Sequence, residues 1–173
     1  MRLVFWAGFW TFLLDQATKY VVVHALSLMT KQEIDIFAPY LVFQMAWNRG
    51  VNFGLGAGAD ARWLLIGVAV AISAGVLIWL WRSGGTKWTY IAAGLLVGGA
   101  LGNVVDRLLY GAVADFINMS CCGIENPYAF NVADLAIFAG ALGLAFLPDG
   151  QKAKPARRKA KKPAPRAKNQ QDD

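Results

Sequence analysis

Residues 102–134 read GNVVDRLLYGAVADFINMSCCGIENPYAFNVAD, with three short polar motifs set at the ends of strongly apolar segments. The motifs are Gly102-Asn103-Val104-Val105-Asp106-Arg107, Val113-Ala114-Asp115-Phe116 and Phe130-Asn131-Val132-Ala133-Asp134. A carboxylate in the middle of a membrane helix costs about 2.5–3.5 kcal/mol to insert. Three carboxylates, an arginine and two asparagines in such places call for a use, because ionisable groups at membrane depth mark functional sites.

Working outward, the apolar segment that ends in the first motif is Trp88–Tyr110. Its Gly94, Gly98 and Gly102 repeat every four residues, a spacing that lets a neighbouring helix approach closely. Near its end Asn103, Asp106 and Arg107 fall on one helix face, at i, i+3 and i+4. Before it, Trp63–Trp81 is a run of 19 residues without a charge, bounded by Arg62 and Arg82 and long enough to cross about 30 Å of hydrocarbon. After it, Phe130–Leu147 makes a further span. Asn131 is a candidate N-cap there, which puts Asp134 in the first turn. The chain begins with Leu3–Leu26, interrupted by Asp15, Gln16, Thr18 and Lys19. It is too long and too charged for the apolar core of a signal peptide, so it reads as a retained span. Asp15 and Lys19, four apart, share a face and can pair. A neutralised pair pointing into the bundle and a direct functional role stay equally open.

Two intervals separate these spans on one side. In 27–61, Ile34–Trp47 is rich in β-branched and aromatic residues and broken by Pro39, which predicts one or two short strands. Asn48–Gly54 follows, its glycines, Gly50 among them, marking a turn. In 111–129, Val113–Ile117 alternates as a short strand does. The expected fold is an all-α integral membrane protein: a four-transmembrane-helix bundle with a small extracytoplasmic β subdomain. The membrane domain covers 1–148, with spans of about 3–26, 63–81, 88–110 and 130–147.

Composition agrees, with 57% hydrophobic and only 16% charged residues, unlike an ordinary soluble domain. The formal net charge of +6 lies in the tail, because residues 1–148 hold eight basic and eight acidic side chains. Residues 149–173 form a disordered basic tail in this reading. Attraction to anionic lipid on the cytoplasmic leaflet accounts for it more simply than nucleic acid does. The basic flanks Arg2, Arg82 and Lys87, together with the tail, put both termini in the cytoplasm and both intervals outside. Asn103, Asp106, Arg107, Asp115, Asn131 and Asp134 then gather at the outer membrane–water boundary.

His24 is the only histidine, which argues against a histidine-rich metal site. Cys121 and Cys122 are adjacent, poorly placed to bridge each other, and read as loop residues. Nothing in the spacing supports a thiol nucleophile. Paired carboxylates suit hydrolysis by direct water attack: an ionised one takes a proton from water while a protonated partner polarises the carbonyl. From the residues alone, other readings stay open. Aspartates satisfying helix ends and pairing with Arg107 explain any one of the three, and a small transporter or an assembly protein packed through the glycine-rich span fits the same pattern.

Taken in order, Asp15-Gln16-Ala17-Thr18-Lys19, Asn48-x-Gly50-x-x-Phe53, Gly102-Asn103-x-x-Asp106-Arg107, Val113-x-Asp115-Phe116 and Phe130-Asn131-x-Ala133-Asp134 resemble the motifs of the bacterial lipoprotein signal peptidases, also called signal peptidase II. The resemblance covers roughly residues 10–148. It implies an aspartic endopeptidase of the bacterial cytoplasmic (inner) membrane that removes signal peptides from prolipoproteins, cutting before the diacylglyceryl-modified cysteine. It puts the catalytic pair on Asp115 and Asp134, substrate- and inhibitor-contacting positions on Asn48, Asn103, Asp106, Arg107 and Asn131, and supporting ones on Asp15, Lys19 and Gly50. The partners implied are diacylglyceryl-modified prolipoproteins and membrane lipids, with globomycin as an inhibitor. No metal, cofactor or nucleic acid is called for. The tail and Ser120–Gly123 belong to none of the motifs. Within the pair, a first-turn position favours the ionised form of Asp134, and apolar neighbours favour the neutral form of Asp115 if it is buried. Asp134 is then the base and Asp115 the acid, with the strands around Ile34–Trp47 lying over them against bulk water.

Overall fold

The computed structural model describes residues 1–50, 61–121, 123 and 126–147. Helix α1 (Arg2–Lys19) continues into a π-helical segment, Tyr20–Ala25. A single turn, α2 (Leu28–Lys31), leads to strands β1 (Glu33–Phe37) and β2 (Leu41–Asn48). Helices α3 (Ala61–Ser83) and α4 (Lys87–Tyr110) follow, then strand β3 (Val113–Asn118) and helix α5 (Val132–Phe146).

Helix α4 is the element on which the others pack, with α1, α5 and α3 all lying against it. Its glycines make this possible. A Cβ on Gly98 would run into the backbone of Gly8 in α1, and one on Gly99, on the other side, would come 2.6 Å from the Ala133 carbonyl of α5. The expected close approach along the glycine repeat is therefore made, and to two helices. Thr86 caps the start of α4, its hydroxyl accepting the Thr89 N–H at 3.2 Å. Gly111, at φ +75°, ends it and turns the chain into β3.

Helices α3 and α4 are each long and apolar enough to cross a membrane, and α5 is a shorter apolar helix. Only Ser73 and Leu80 of α3 are buried, although its mean hydropathy reaches 2.4. Trp6, Trp10, Trp63, Trp81, Phe138 and Phe146 stand exposed on the outside of the helices. A surface this apolar belongs in a non-aqueous medium.

The strands form one antiparallel sheet in the order β1-β2-β3, so both polar intervals contribute to it. Ala46 lies opposite Asp115 and Trp47 opposite Ala114. Phe130 adds a bridge on the far edge of β3, its N–H donating to the Ile117 carbonyl at 3.0 Å and its own carbonyl accepting the Ile117 N–H at 2.8 Å. Because Phe130 is taken into the sheet, α5 begins at Val132 rather than at the start of the apolar run. A small core of Val22, Leu28 and Phe116, with Phe43 edge-on to Phe116, fixes the sheet to the end of α1.

The strand expected at Val113–Ile117 is β3, and Val113, Ala114, Asp115 and Phe116 are all buried, because helices cover one face and the α1–β2 core the other. One further expectation changes. Cys121 is disulfide-bonded, contrary to the expectation that the neighbouring cysteines do not bridge. The only other cysteine, Cys122, lies outside the described residues. Phe53 and the tail, 149–173, also lie outside the described residues.

Candidate active site

Three local rules bring Asp115 and Asp134 together. Gly111 reverses the chain after α4, so β3 runs back beside the last turns of that helix. The Phe130–Ile117 bridge then carries the following chain past Asp115. Asn131 caps α5 as its spacing predicts: its Oδ1 accepts the Asp134 N–H at 2.9 Å, and Asp134 Oδ2 accepts the Asn131 N–H at 3.1 Å.

Asn131 is fully buried and serves both carboxylates. Besides the cap, its Nδ2 donates to Asp115 Oδ1 at 2.6 Å. Asn103 completes the link: its Nδ2 donates to Asp134 Oδ1 at 2.9 Å, and its Oδ1 accepts from Asn131 Nδ2 at 3.2 Å. Asn48 reaches the pair from β2. Its Oδ1 accepts the Gly50 N–H at 2.9 Å, and its side chain hydrogen-bonds the Asp115 carboxylate. Gly50 sits at φ +83°, and a Cβ there would overlap Leu65. Its place in the motif thus has a steric and conformational reason.

Asp115 is 2% exposed, whereas Asp134 is half-buried. Burial, and then the neighbouring charge of Asp134, push the Asp115 carboxyl from 3.8 up to about 6, although Asn48, Asn131 and Lys19 oppose the rise. A carboxyl pushed toward its neutral form thus lies beside another whose oxygens accept two N–H donors.

Behind the pair lies a second polar layer. Lys19 Nζ contacts Asp15 Oδ2 at 2.8 Å, Asp106 Oδ2 at 2.7 Å and Asn103 Oδ1 at 3.3 Å. The expected Asp15–Lys19 pair thus becomes a triad, all of it buried. Asp106, expected beside Asn103 and Arg107 at the site, points to Lys19, to Gln16 Nε2 at 3.2 Å and to the Ala114 N–H at 3.2 Å. Arg107 donates from Nη1 to the Asn103 carbonyl at 3.2 Å and makes no ion pair within 4 Å among the described residues. Its charge acts on Asp134, Asp115 and Asp106 from further away, and its Nε is buried without an acceptor. The simple alternative, aspartates neutralised by Arg107, is not the arrangement found.

Gln16 is the residue that sequence reasoning passed over. Its Nε2 contacts Asp15 Oδ2, Asp106 Oδ1 and, at 3.4 Å, the Gly102 carbonyl. The available signal was a polar side chain three residues before Lys19 in an apolar helix, hence on its face. A cavity of ≈ 200 Å³ is lined by Gln16, Lys19, His24, Trp47, Asp106 and Tyr110.

Helices on a small sheet, with two carboxylates joined through one capping asparagine, define a membrane enzyme of the paired-carboxylate kind. Two solved structures, each described as a bacterial membrane enzyme, share the fold. One has a TM-score of 0.70 at 23% identity, covering 84% of this chain and 91% of that one. The other has 0.65 at 23%, covering 83% and 85%. Residues 8–147 match the family model for signal peptidase (SPase) II, and the chain belongs to that family of aspartic peptidases. Proteins named lipoprotein signal peptidase are similar throughout. The one from Methylobacterium radiotolerans is 44% identical over 90% of this chain and 92% of its own length, and that from Pseudomonas putida is 39% identical over 81% and 82%.

Proposed function

We infer that this protein removes signal peptides from bacterial prolipoproteins, with Asp115 and Asp134 as its catalytic pair. The observation that carries the assignment is Asn131, which donates to both carboxylates, from Nδ2 to Asp115 and from its backbone N–H to Asp134. Asp134 starts as the base, since its two oxygens accept N–H donors at a helix start. Asp115 starts as the acid, since burial and the charge of Asp134 raise its carboxyl to about 6 and favour its protonated form.

In the attack step, Asp134 takes a proton from water while the water oxygen bonds to the scissile carbonyl carbon. The protonated Asp115 gives its proton to the carbonyl oxygen, producing a geminal diol. In collapse, Asp134 returns its proton to the leaving nitrogen, the C–N bond breaks, and Asp115 recovers a proton from a diol hydroxyl. Arg107 and Asn48, at the rim of the pair, are placed to hold the substrate backbone.

Four membrane spans suit this reaction, namely α1 with its π-helical continuation, α3, α4 and α5. The basic Arg2, Arg82 and Lys87 and the basic tail then face the cytoplasm, and the sheet lies outside. The pair lies where the helices meet the sheet, which in this orientation suits a bond whose neighbouring cysteine is anchored by diacylglyceryl chains in the outer leaflet. The substrate is therefore a diacylglyceryl-modified precursor, and membrane lipid delivers it.

The test is incubation of the purified protein with a diacylglyceryl-modified precursor, with and without globomycin. Release of the signal peptide that stops with globomycin is expected. Absence of cleavage, or cleavage that survives Asp115→Asn, would refute the reading.

A further inference from the structure

We propose that Lys19 is a positioning residue of the pair: its ammonium clamps Asp15 to Asp106, and each of those carboxylates holds the peptide N–H that precedes one catalytic aspartate. The inference rests on the reading that Asp115 and Asp134 react.

The two halves match. Asp15 Oδ1 accepts the N–H of Ala133 at 2.9 Å, one residue before Asp134. Asp106 Oδ2 accepts the N–H of Ala114 at 3.2 Å, one residue before Asp115. Lys19 Nζ stands between the two carboxylates, at 2.8 and 2.7 Å. Asp134 and Asp115 come from different elements, a helix start and a strand, and behind the Asn131 link the clamp ties the backbone of both to one point. The third hydrogen of Lys19 goes to Asn103 Oδ1 at 3.3 Å. With that oxygen already facing Lys19 and Asn131, the Asn103 amide nitrogen is turned toward Asp134 Oδ1, where it donates at 2.9 Å. All three hydrogens of the ammonium are therefore used, and none is left for a substrate. Asp15 is 0%, Asp106 2% and Lys19 6% exposed, so the clamp is almost wholly buried.

A cation between two buried carboxylates is also explained as a plain counter-ion, and the test separates the two roles. Lys19→Met removes the charge and the donors. Displacement of reacting groups by about 1 Å costs on the order of 10²-fold in rate. The turnover number per folded molecule should fall by about that factor, with KM changed by less than about twofold because Lys19 does not touch substrate. Asp15→Asn combined with Lys19→Met restores the original net charge of the cluster and keeps an acceptor for Ala133, but leaves no clamp. Its melting temperature should return toward that of the wild type while turnover stays at least about tenfold low.

Recovery of turnover together with stability would make Lys19 a counter-ion only and overturn the proposal. So would a rise in KM at unchanged turnover, or failure of the charge-balanced double variant to fold. Wild type and Asp115→Asn run alongside separate this from the reading beneath it. If the wild type is inactive, or Asp115→Asn is as active as wild type, the catalytic pair is misassigned; if they differ as expected, the result speaks to the clamp alone.

Discussion

Replacing Asp115 by asparagine should abolish cleavage and yet stabilise the protein at neutral pH. The carboxyl is buried, and burial with the nearby Asp134 raises it from 3.8 to about 6. That displacement corresponds to ~3 kcal/mol. Because the folded value lies above the unfolded one, the folded protein holds the proton more tightly. This contribution is complete below about pH 4 and is lost as pH rises through about 6. At pH 7.5 the wild type thus carries an ionised buried carboxylate at a cost of ~3 kcal/mol, which Asp115→Asn avoids. Against this, Asn131 and Asn48 both donate to the group, and one of them then meets an NH₂ instead of an oxygen, costing about 1–2 kcal/mol. The net gain is about 1–2 kcal/mol, on the order of 2–8 °C in melting temperature for a chain of this size. At pH 4.5 the wild-type cost falls to about 1 kcal/mol, and the difference should vanish. Melting followed through the seven tryptophans, in one detergent at both pH values, measures this. A variant that melts lower at both pH values, or gains equally at both, would refute the argument that burial holds the proton on Asp115.

Asp134→Asn should reduce cleavage by about 10²–10⁴-fold, and the double Asp115→Asn, Asp134→Asn variant should be little worse than either single one, as single-turnover assays would register. Gly102→Ala places a methyl group onto Asp15 Oδ2, an atom already fixed by Lys19 and Gln16. A loss of about 1–3 kcal/mol and at least a tenfold fall in cleavage are expected, whereas Gly75→Ala, which meets nothing within 4 Å, should melt within about 0.5 kcal/mol of wild type. Reporter fusions after Leu28 and after Gly123 should report an external location and one after Gly84 an internal one; a cytoplasmic signal at Gly123 would reverse the orientation.

The helices were legible because their signals are local. Runs of apolar residues gave α3 and α4 within two residues at each end, and Asn131 followed at three residues by Asp134 gave the cap of α5. The strands were legible for the same reason, from β-branched residues broken at Pro39. The contacts that organise the site are of another kind. The acceptor of the Ala133 N–H is Asp15, 118 residues away, and a backbone donor leaves no mark in the sequence. Asp106 reads like Asn103 in the motif, one turn further along the same helix, yet one faces the pair and the other the clamp. Their difference depends on where α1 lies, which the Gly8–Gly98 contact sets. The alternation in Val113–Ile117 marked β3 correctly, but not its complete burial, which comes from helix ends on one face and a second core on the other.

The two cations of the site divide its electrostatics in a way that follows from their hydrogen bonds. Lys19 is saturated by three acceptors, so its charge is spent holding geometry and changes little as a reaction proceeds. Among the described residues, Arg107 is bound only through Nη1 to one carbonyl, and its Nε is buried without an acceptor. A buried unpaired donor is costly, about 1–3 kcal/mol, unless something arrives to accept from it. In the proposed mechanism that acceptor is a carbonyl oxygen of the bound peptide, and the cost borne by the empty site is returned as binding. The same division explains the raised carboxyl of Asp115. Asp15, Asp106 and Asp134 already set three carboxylates against Lys19 and Arg107, and Asp115, 2% exposed, has no cation in contact with it among the described residues. Its carboxyl is therefore raised to about 6, which favours the neutral form that the proposed acid needs when the substrate enters.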